Sequence, residues 1–216
     1  MAGQGAADRG SIISCCGKKH PDQERASSRR KQVLDAAECC FGRSGFHGAS
    51  MAEISKAAGM SAGHIYNYFD SKDDIIAAFV EQNMDRVSAI MRDLARRDDP
   101  LQAVLDDIDG HVREALDSCV WKLPLEIHAE ASRNPKIALL VQQADQHSRA
   151  QFVAILKKGR EQRGLAVDDA LLDSRCDVFI GVFEGLHLRA LHHPSLDPDA
   201  VAAAVRLALE PLLFGE

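Results

Sequence analysis

The stretch SMAEISKAAGMSAGHIYNYFDSK, Ser50 to Lys72, packs three helix starts and a helix stop into one short segment. Ser50 followed by Glu53 has the S-x-x-E form of a capping box, in which the serine hydroxyl accepts an amide hydrogen bond and the glutamate reaches back to the serine amide. A first helix therefore starts near Met51, places Ile54, Ala57 and Ala58 on one side, and stops at Gly59, which takes a left-handed conformation cheaply. Met60 plugs the corner. Ser61 is positioned as a second N-cap, opening a helix whose Ile65 and Phe69 point inward. Ser71 with Asp74 repeats the capping pattern one element later. Two short helices joined at a glycine read as a helix-turn-helix.

The outward side of the second helix carries Ala62, Gly63, His64, Asn67 and Tyr68, with Tyr66 beside them. Small residues at its start allow close approach to a DNA major groove. Asparagine can pair with the N6 and N7 edge of adenine, and histidine can donate or accept at a base edge. Tyrosine hydroxyls and the capping serines Ser50 and Ser61 suit phosphate contacts. Lys72 falls at a helix N-terminus, where amides and the macrodipole favour an anion.

The string from Arg29 through A-A-G-M-S-A-G-H-I-Y-N-Y-F-D-S-K to Ile76 resembles the DNA-binding domain of the TetR family of transcriptional regulators. It has the same turn glycine, Y-x-Y-F-like core and serine-lysine helix start. The resemblance covers about fifty residues. It implies a homodimer that binds a palindromic double-stranded DNA operator and answers to a small-molecule effector, most members being repressors. His64 is uncommon at its position in the family, so no operator sequence carries over, and the segment ahead of the domain is longer than in many members.

Charge is distributed as such a reading requires. The whole chain carries a formal −6, which by itself suits DNA poorly. Residues 25–72, however, hold +7 and −4, whereas residues 73–216 hold +16 and −25. Positive charge is concentrated where phosphate attraction needs it. Apolar residues make up 46% without a run long enough to span a bilayer, so the expectation is a cytoplasmic protein with no membrane partner.

No strand pattern or internal repeat appears, and the architecture reads as all-α. An N-terminal three-helix helix-turn-helix domain is joined by a long helix to a larger helical domain for ligand binding and dimerisation. The divisions expected are an unstructured extension over 1–27, a DNA-binding domain over 28–72, and an effector-binding and dimerisation domain over 73–216. Val33, Ala36, Ala37, Cys40 and Phe41 set a first amphipathic helix from about Ser28. One long helix runs from Lys72 to the Arg96–Pro100 break, and a further one is expected from Leu101 to Cys119. Pro124 and Pro135 are each placed at a helix start.

The last two helices, about Asp169–Leu191 and Pro198–Leu213, are apolar on more than one side. Phe179, Phe183, Val201, Val205 and Leu209 provide hydrophobic surface, and Gly181 and Gly185 a flat strip for another helix. Such a surface is usually covered by a partner, and a two-fold homodimer is the commonest closure; the resemblance implies the same pair of helices. The effector site is expected among the middle helices, around Trp121, Glu126, Met84, Met91, Phe152, Phe183 and His187. Aromatic, methionine and carboxylate groups there suit a flat, lipophilic or toxic compound, with cations favoured where a glutamate lines the site.

Cys15, Cys16, Cys39, Cys40, Cys119 and Cys176 form no C-x-x-C pair and no zinc spacing. The histidines at 111, 128, 147, 187, 192 and 193 show no i, i+4 pair, so no metal and no cofactor are expected. An activator, or a thiol-redox regulator using Cys15 with Cys16 or Cys119 with Cys176, would share every other feature. A helical enzyme without DNA binding is the distant alternative: the chain has no nucleophile–base spacing, phosphate loop or recognisable carboxylate pair, and no catalytic residue is assigned.

Overall fold

Capping chemistry sets most of the element boundaries in the computed structural model, which describes residues 21–215, with side chains from residue 25 onward. Ten helices and no strand occur among the described residues: α1 Pro21–Gly48, α2 Met51–Ala57, α3 Ala62–Ile65, α4 Lys72–Arg96, α5 Pro100–Asp106, α6 Ile108–Leu116, α7 Ser118–Ala131, α8 Pro135–Gln162, α9 Asp169–His192 and α10 Pro198–Phe214. Asp99, Asp117, Asn134, Asp168 and Asp197 cap α5, α7, α8, α9 and α10 through their side chains. Pro100, Pro135 and Pro198 occupy the first turn of α5, α8 and α10, where a missing amide hydrogen costs nothing.

Three expectations are corrected. The first helix begins at Pro21, so residues 21–27 are helical, and Ser27 and Ser28 lie well inside it. A proline opening a helix is a sufficient start signal without them. The Leu101–Cys119 helix is two, broken at Asp107, which closes α5 and precedes α6. Pro124 lies within α7, whose start is fixed upstream by the Asp117 carboxylate accepting from the Cys119 amide at 2.8 Å. The rest of the expected N-terminal extension, with Cys15 and Cys16, lies outside the described residues.

Two cores form. In the first, Val33, Leu34, Ala37, Cys40 and Phe41 of α1 meet Ile54 of α2, Ile65 of α3, Phe69, and Ile75, Ile76 and Phe79 of α4. Packing thus continues past Lys72 into the first two turns of α4. Phe41 lies 5.5 Å from Phe46 and 6.4 Å from Phe79, ring to ring. Each fully buried Ile, Leu or Phe of this kind contributes about 1.5–3 kcal/mol. Ile137 of α8 is buried in the same core, and Leu123, Ile127 and Val141 pack against it, so α7 and α8 complete the N-terminal unit. The second core gathers Leu94, Leu101, Val104, Ile108, Val112, Phe152, Ile155, Leu156, Leu172, Cys176, Val205 and Leu209 from α4–α6 and α8–α10. α4 and α8 lie against one another and contribute to both cores.

Candidate nucleic-acid interface and effector cavity

The corner of the helix-turn-helix is built as the residues dictate. Gly59 has φ +63. Its amide donates to the Lys56 carbonyl and the Met60 amide to the Ser55 carbonyl, the paired bonds of a Schellman stop. The buried Ser55 hydroxyl donates back to the Met60 carbonyl at 2.9 Å, and the Gln32 amide of α1 donates to the Ala58 carbonyl at 2.7 Å. The Ser50–Glu53 capping box is complete.

α3 is shorter than its pattern promised. It is α-helical over Ala62–Ile65 and continues to Phe69 through tighter bonds, Asn67 to His64 and Tyr68 to Ile65. Ile65 and Phe69 are buried, and Ala62, Gly63, His64, Tyr66 and Asn67 are exposed, with Tyr68 half-buried. A Cβ built on Gly63 meets nothing within 4 Å, so the protein itself does not require glycine there. The His64 ring lies 3.4 Å from the Asn67 side-chain nitrogen and 3.5 Å from the Tyr68 hydroxyl, and stands edge-on to the Tyr68 ring. The three side chains form one outward cluster.

Two members of the expected phosphate-holding set have other partners. The Lys72 ammonium donates to the Phe46 carbonyl at 2.6 Å and the Ala49 carbonyl at 2.8 Å, and lies 4.5 Å over the Phe46 ring. It ties the start of α4 to the end of α1 instead of standing free at a helix N-terminus, because unpaired carbonyls at a helix end attract a cation. The Ser50 hydroxyl is committed to Glu53, accepting from its amide and donating to its carboxylate. Ser61 makes no side-chain capping bond.

A cavity of ≈ 650 Å³ opens between α1, α4, α6, α7, α8 and α9, within the range of about 300–1,000 Å³ that suits small ligands. Met84, Val87 and Met91 of α4, Leu123 and Ile127 of α7, and Phe152, Phe179 and Ile180 form its apolar wall. Of the expected effector residues it brings together Met84, Met91 and Phe152. Trp121, Glu126, Phe183 and His187 are not among its lining. Cys119, Val120, Leu123, Pro124, Ile127 and His128 fill one side of α7, and at about 100° per residue Trp121 falls past the His128 edge of that side. Trp121 is buried, and its indole nitrogen has no hydrogen-bond partner. Phe183 packs in the second core against Phe179 and edge-on to His111. His187 is half-buried, and burial holds its imidazole below the usual value despite nearby Glu184.

Glu126 turns from the cavity toward the N-terminal unit: its carboxylate accepts from the Phe46 amide at 3.1 Å. One turn on, Glu130 is buried and holds His47 at 3.0 Å, Arg133 at 3.0 Å and Asn134 at 3.2 Å. Burial pushes this carboxyl up, but hydrogen bonds from Asn134 and Arg133 and the charges of His47 and Arg133 outweigh it and leave it below the ordinary carboxylate value. α7 therefore walls the cavity on one side and clasps the α1–α2 corner on another. The spacing of Glu126 and Glu130, one turn apart, was the available signal, but nothing local named their partners eighty residues away.

The expected dimer residues also divide. Val205 and Leu209 are buried within the second core, Val201 packs against it, and Phe179 lies 4.6 Å from Phe152 in the cavity wall. Gly181 is exposed and Gly185 half-buried, each with open space where a Cβ would stand. The large apolar side chains left in solvent beside them are Val178, Leu188, Leu191 and Leu207, the last 74% exposed.

No group of His, Cys, Asp and Glu among the described residues could hold a metal ion, and no described helix is long and apolar enough to cross a membrane. Burial pushes the Cys176 thiol up to about 11, which leaves it a poor nucleophile near neutral pH.

A helix-turn-helix with a capped corner, joined by α4 and clasped by α7 to a helical body with a cavity, is the build of a helix-turn-helix transcriptional regulator. Residues 33–79 match the model of the bacterial regulatory proteins of the tetR family, and residues 117–213 that of the C-terminal part of BetI-type transcriptional repressors. The HTH-type transcriptional regulator UidR of Escherichia coli K12 is 32% identical over 143 residues, 66% of this chain and 71% of that protein. Among solved structures, Salmonella enterica GusR superposes with a TM-score of 0.71 at 26% identity, covering 86% of this chain and 95% of that one. The regulator FadR of Bacillus subtilis, solved with stearoyl-CoA, gives 0.69 at 21% identity over 86% and 98%. The chain belongs to the TetR family of transcriptional regulators.

Proposed function

We propose that the protein is a repressor that grips a palindromic operator as a homodimer and releases it when a small molecule enters the cavity. The division of labour is a DNA-binding unit at the N-terminus and an effector and dimerisation unit behind it. The observation that carries the reading is that α4 and α7 each touch both ends of the signal. α4 begins in the N-terminal core and lines the cavity with Met84, Val87 and Met91, and α7 lines it with Leu123 and Ile127 while Glu126 and Glu130 hold Phe46 and His47.

Two reading helices must sit about 34–36 Å apart to enter successive major grooves. A ligand that moves α4 or α7 by a few ångströms spoils that spacing, and occupancy falls. Asn67, His64 and Tyr66 read bases, with Ala62 and Gly63 allowing the approach and Ser61 and Tyr68 reaching phosphates. The partner copy covers Val178, Gly181, Gly185, Leu188 and Leu207 on α9 and α10. That a structural neighbour was solved with stearoyl-CoA supports a ligand-responsive body, though not the same ligand.

The test is to select binding sites from random duplexes and to measure the stoichiometry of the complex by sedimentation. The expected result is an inverted repeat bound by an even number of chains, with deletion of the gene raising reporter output. A single half-site bound by a monomer refutes the homodimer, and falling output on deletion turns the reading to activation. A thiol-responsive regulator is the second reading, favoured by one observation: Cys119 is exposed in the cavity lining. Operator release by a thiol reagent in the wild type, abolished by Cys119→Ser, would establish it.

A further inference from the structure

The charges around the cavity are one-sided. Five carboxylates line it, those of Asp35, Glu38, Glu114, Asp145 and Glu184, against the single guanidinium of Arg86 and the imidazole of His128. Arg86 is already bound to Glu114 at 2.5 Å, and Asp35 to Lys31 at 2.8 Å. Glu38 on α1, Asp145 on α8 and Glu184 on α9 have no ion pair among the described residues, and all three are exposed at the cavity. Behind them the wall is apolar and aromatic, with the Phe152 and Phe179 rings 4.6 Å apart and tilted by 43°.

We propose that the cavity selects a lipophilic organic cation, its positive centre held among Glu38, Asp145 and Glu184 and its apolar body against Phe152, Phe179 and Met91. The proposal rests on the effector reading above and adds the charge class. An anion entering the same space meets three unpaired carboxylates and finds the one guanidinium occupied. A neutral lipophile gains the apolar wall and nothing from the rim. A cation gains both, and its charge is further attracted to the aromatic faces. Low-dielectric walls strengthen the preference by focusing the carboxylate field into the opening. A cation the size of a bare ammonium headgroup would leave most of the ≈ 650 Å³ empty, so the apolar body is part of the requirement.

The test uses the full chain without DNA and two probes of one shape and opposite charge, tetraphenylphosphonium and tetraphenylborate, in equilibrium dialysis. The phosphonium is expected to bind tighter by about tenfold or more, with the advantage shrinking as salt rises. It should also protect Cys119, a lining residue, from N-ethylmaleimide, read by peptide mass spectrometry so that other thiols do not interfere. Replacing the three rim acids by Glu38→Gln, Asp145→Asn and Glu184→Gln should cost the phosphonium about tenfold and leave the borate no weaker, with the thermal midpoint unchanged because these side chains are exposed. Equal affinity, preference for the borate, absence of binding, or selective binding that neither protects Cys119 nor responds to the triple variant each overturns the proposal. Operator release separates it from the effector reading. Release by the borate and not by the phosphonium sinks the charge class and leaves an effector site; selective binding in the cavity without release leaves the charge class and sinks the effector site.

Discussion

Removing the Glu126 carboxylate should uncouple the cavity from the DNA-binding unit without emptying either. The carboxylate accepts one hydrogen bond, from the Phe46 amide at 3.1 Å, across the join between α7 and the end of α1. A hydrogen bond to a charged acceptor contributes about 1.5–3 kcal/mol, and its partly buried position puts this one at the low end. Glu126→Ala therefore weakens the link by about 1.5 kcal/mol, which is about tenfold in an equilibrium constant. Coupling between two sites cannot exceed the free energy that the linking contacts carry. The factor by which a saturating effector weakens operator binding should fall by up to about tenfold, shared with the remaining contacts of α4 and Glu130.

Fluorescence anisotropy with labelled operator, with and without any compound that releases the wild-type protein, measures that factor directly. Calorimetry on the same variant checks that the compound still binds with wild-type affinity. Amide exchange at Phe46 provides a readout that needs no effector and should accelerate in the variant. If Phe46 exchanges faster and the coupling factor is unchanged, the clasp is structural only, and the signal runs through α4 alone. If the compound no longer binds, Glu126 belongs to the cavity and its position on α7 has been misread.

Four further outcomes follow from the geometry. Gly63→Ala has open space around the new methyl, so folding stability should hold or rise slightly by helix propensity, while operator affinity falls; unchanged affinity would place the DNA away from the start of α3. Asn67→Ala should lose about 1–3 kcal/mol on the operator and little on random duplex, whereas Lys72→Ala, which strips two carbonyls of their donor, should lower the thermal midpoint by the loss of about 1–3 kcal/mol and leave the salt slope of random-duplex binding intact. Leu207→Asp, at a side chain 74% exposed, should give folded monomers by sedimentation, while Val205→Asp, buried in the second core, should unfold the chain; a folded dimer for Leu207→Asp moves the interface elsewhere. Glu130, held below the ordinary carboxylate value, stabilises the fold above about pH 4.3 and loses that contribution as pH falls through its depressed value, so urea midpoints of wild type and Glu130→Gln should differ at pH 7 and converge in acid.

What could be read from the sequence follows how far each structural cause reaches along the chain. The capping box at Ser50, the stop at Gly59 and the start at Ser71 act within a few residues, and all three stand in the structure. The inward positions Ile54, Ile65 and Phe69 follow from helical period alone and are buried. At Lys72 the same local logic reaches only part way: its position at a helix start is correct, but the carbonyls that hold it come from Phe46 and Ala49, and only the tertiary fold brings them there. α9 fails for a different reason. Val178, Phe179, Ile180, Val182, Phe183, Leu186 and Leu188 leave almost no polar position to mark an outer side, so periodicity could not say that Phe179 faces the cavity while Val178 faces solvent. The cavity is the furthest case. Its wall draws on six helices, from Leu34 to Glu184, and no window of sequence contains it. Yet its α4 members, Met84, Val87 and Met91, repeat at three and four residues along one side of a helix that must also carry Ile76 and Phe79 in the first core. A helix whose one apolar stripe runs out of one core and into the wall of a cavity cannot shift at one end and stay still at the other, since side chains packed at near-crystalline density transmit displacement.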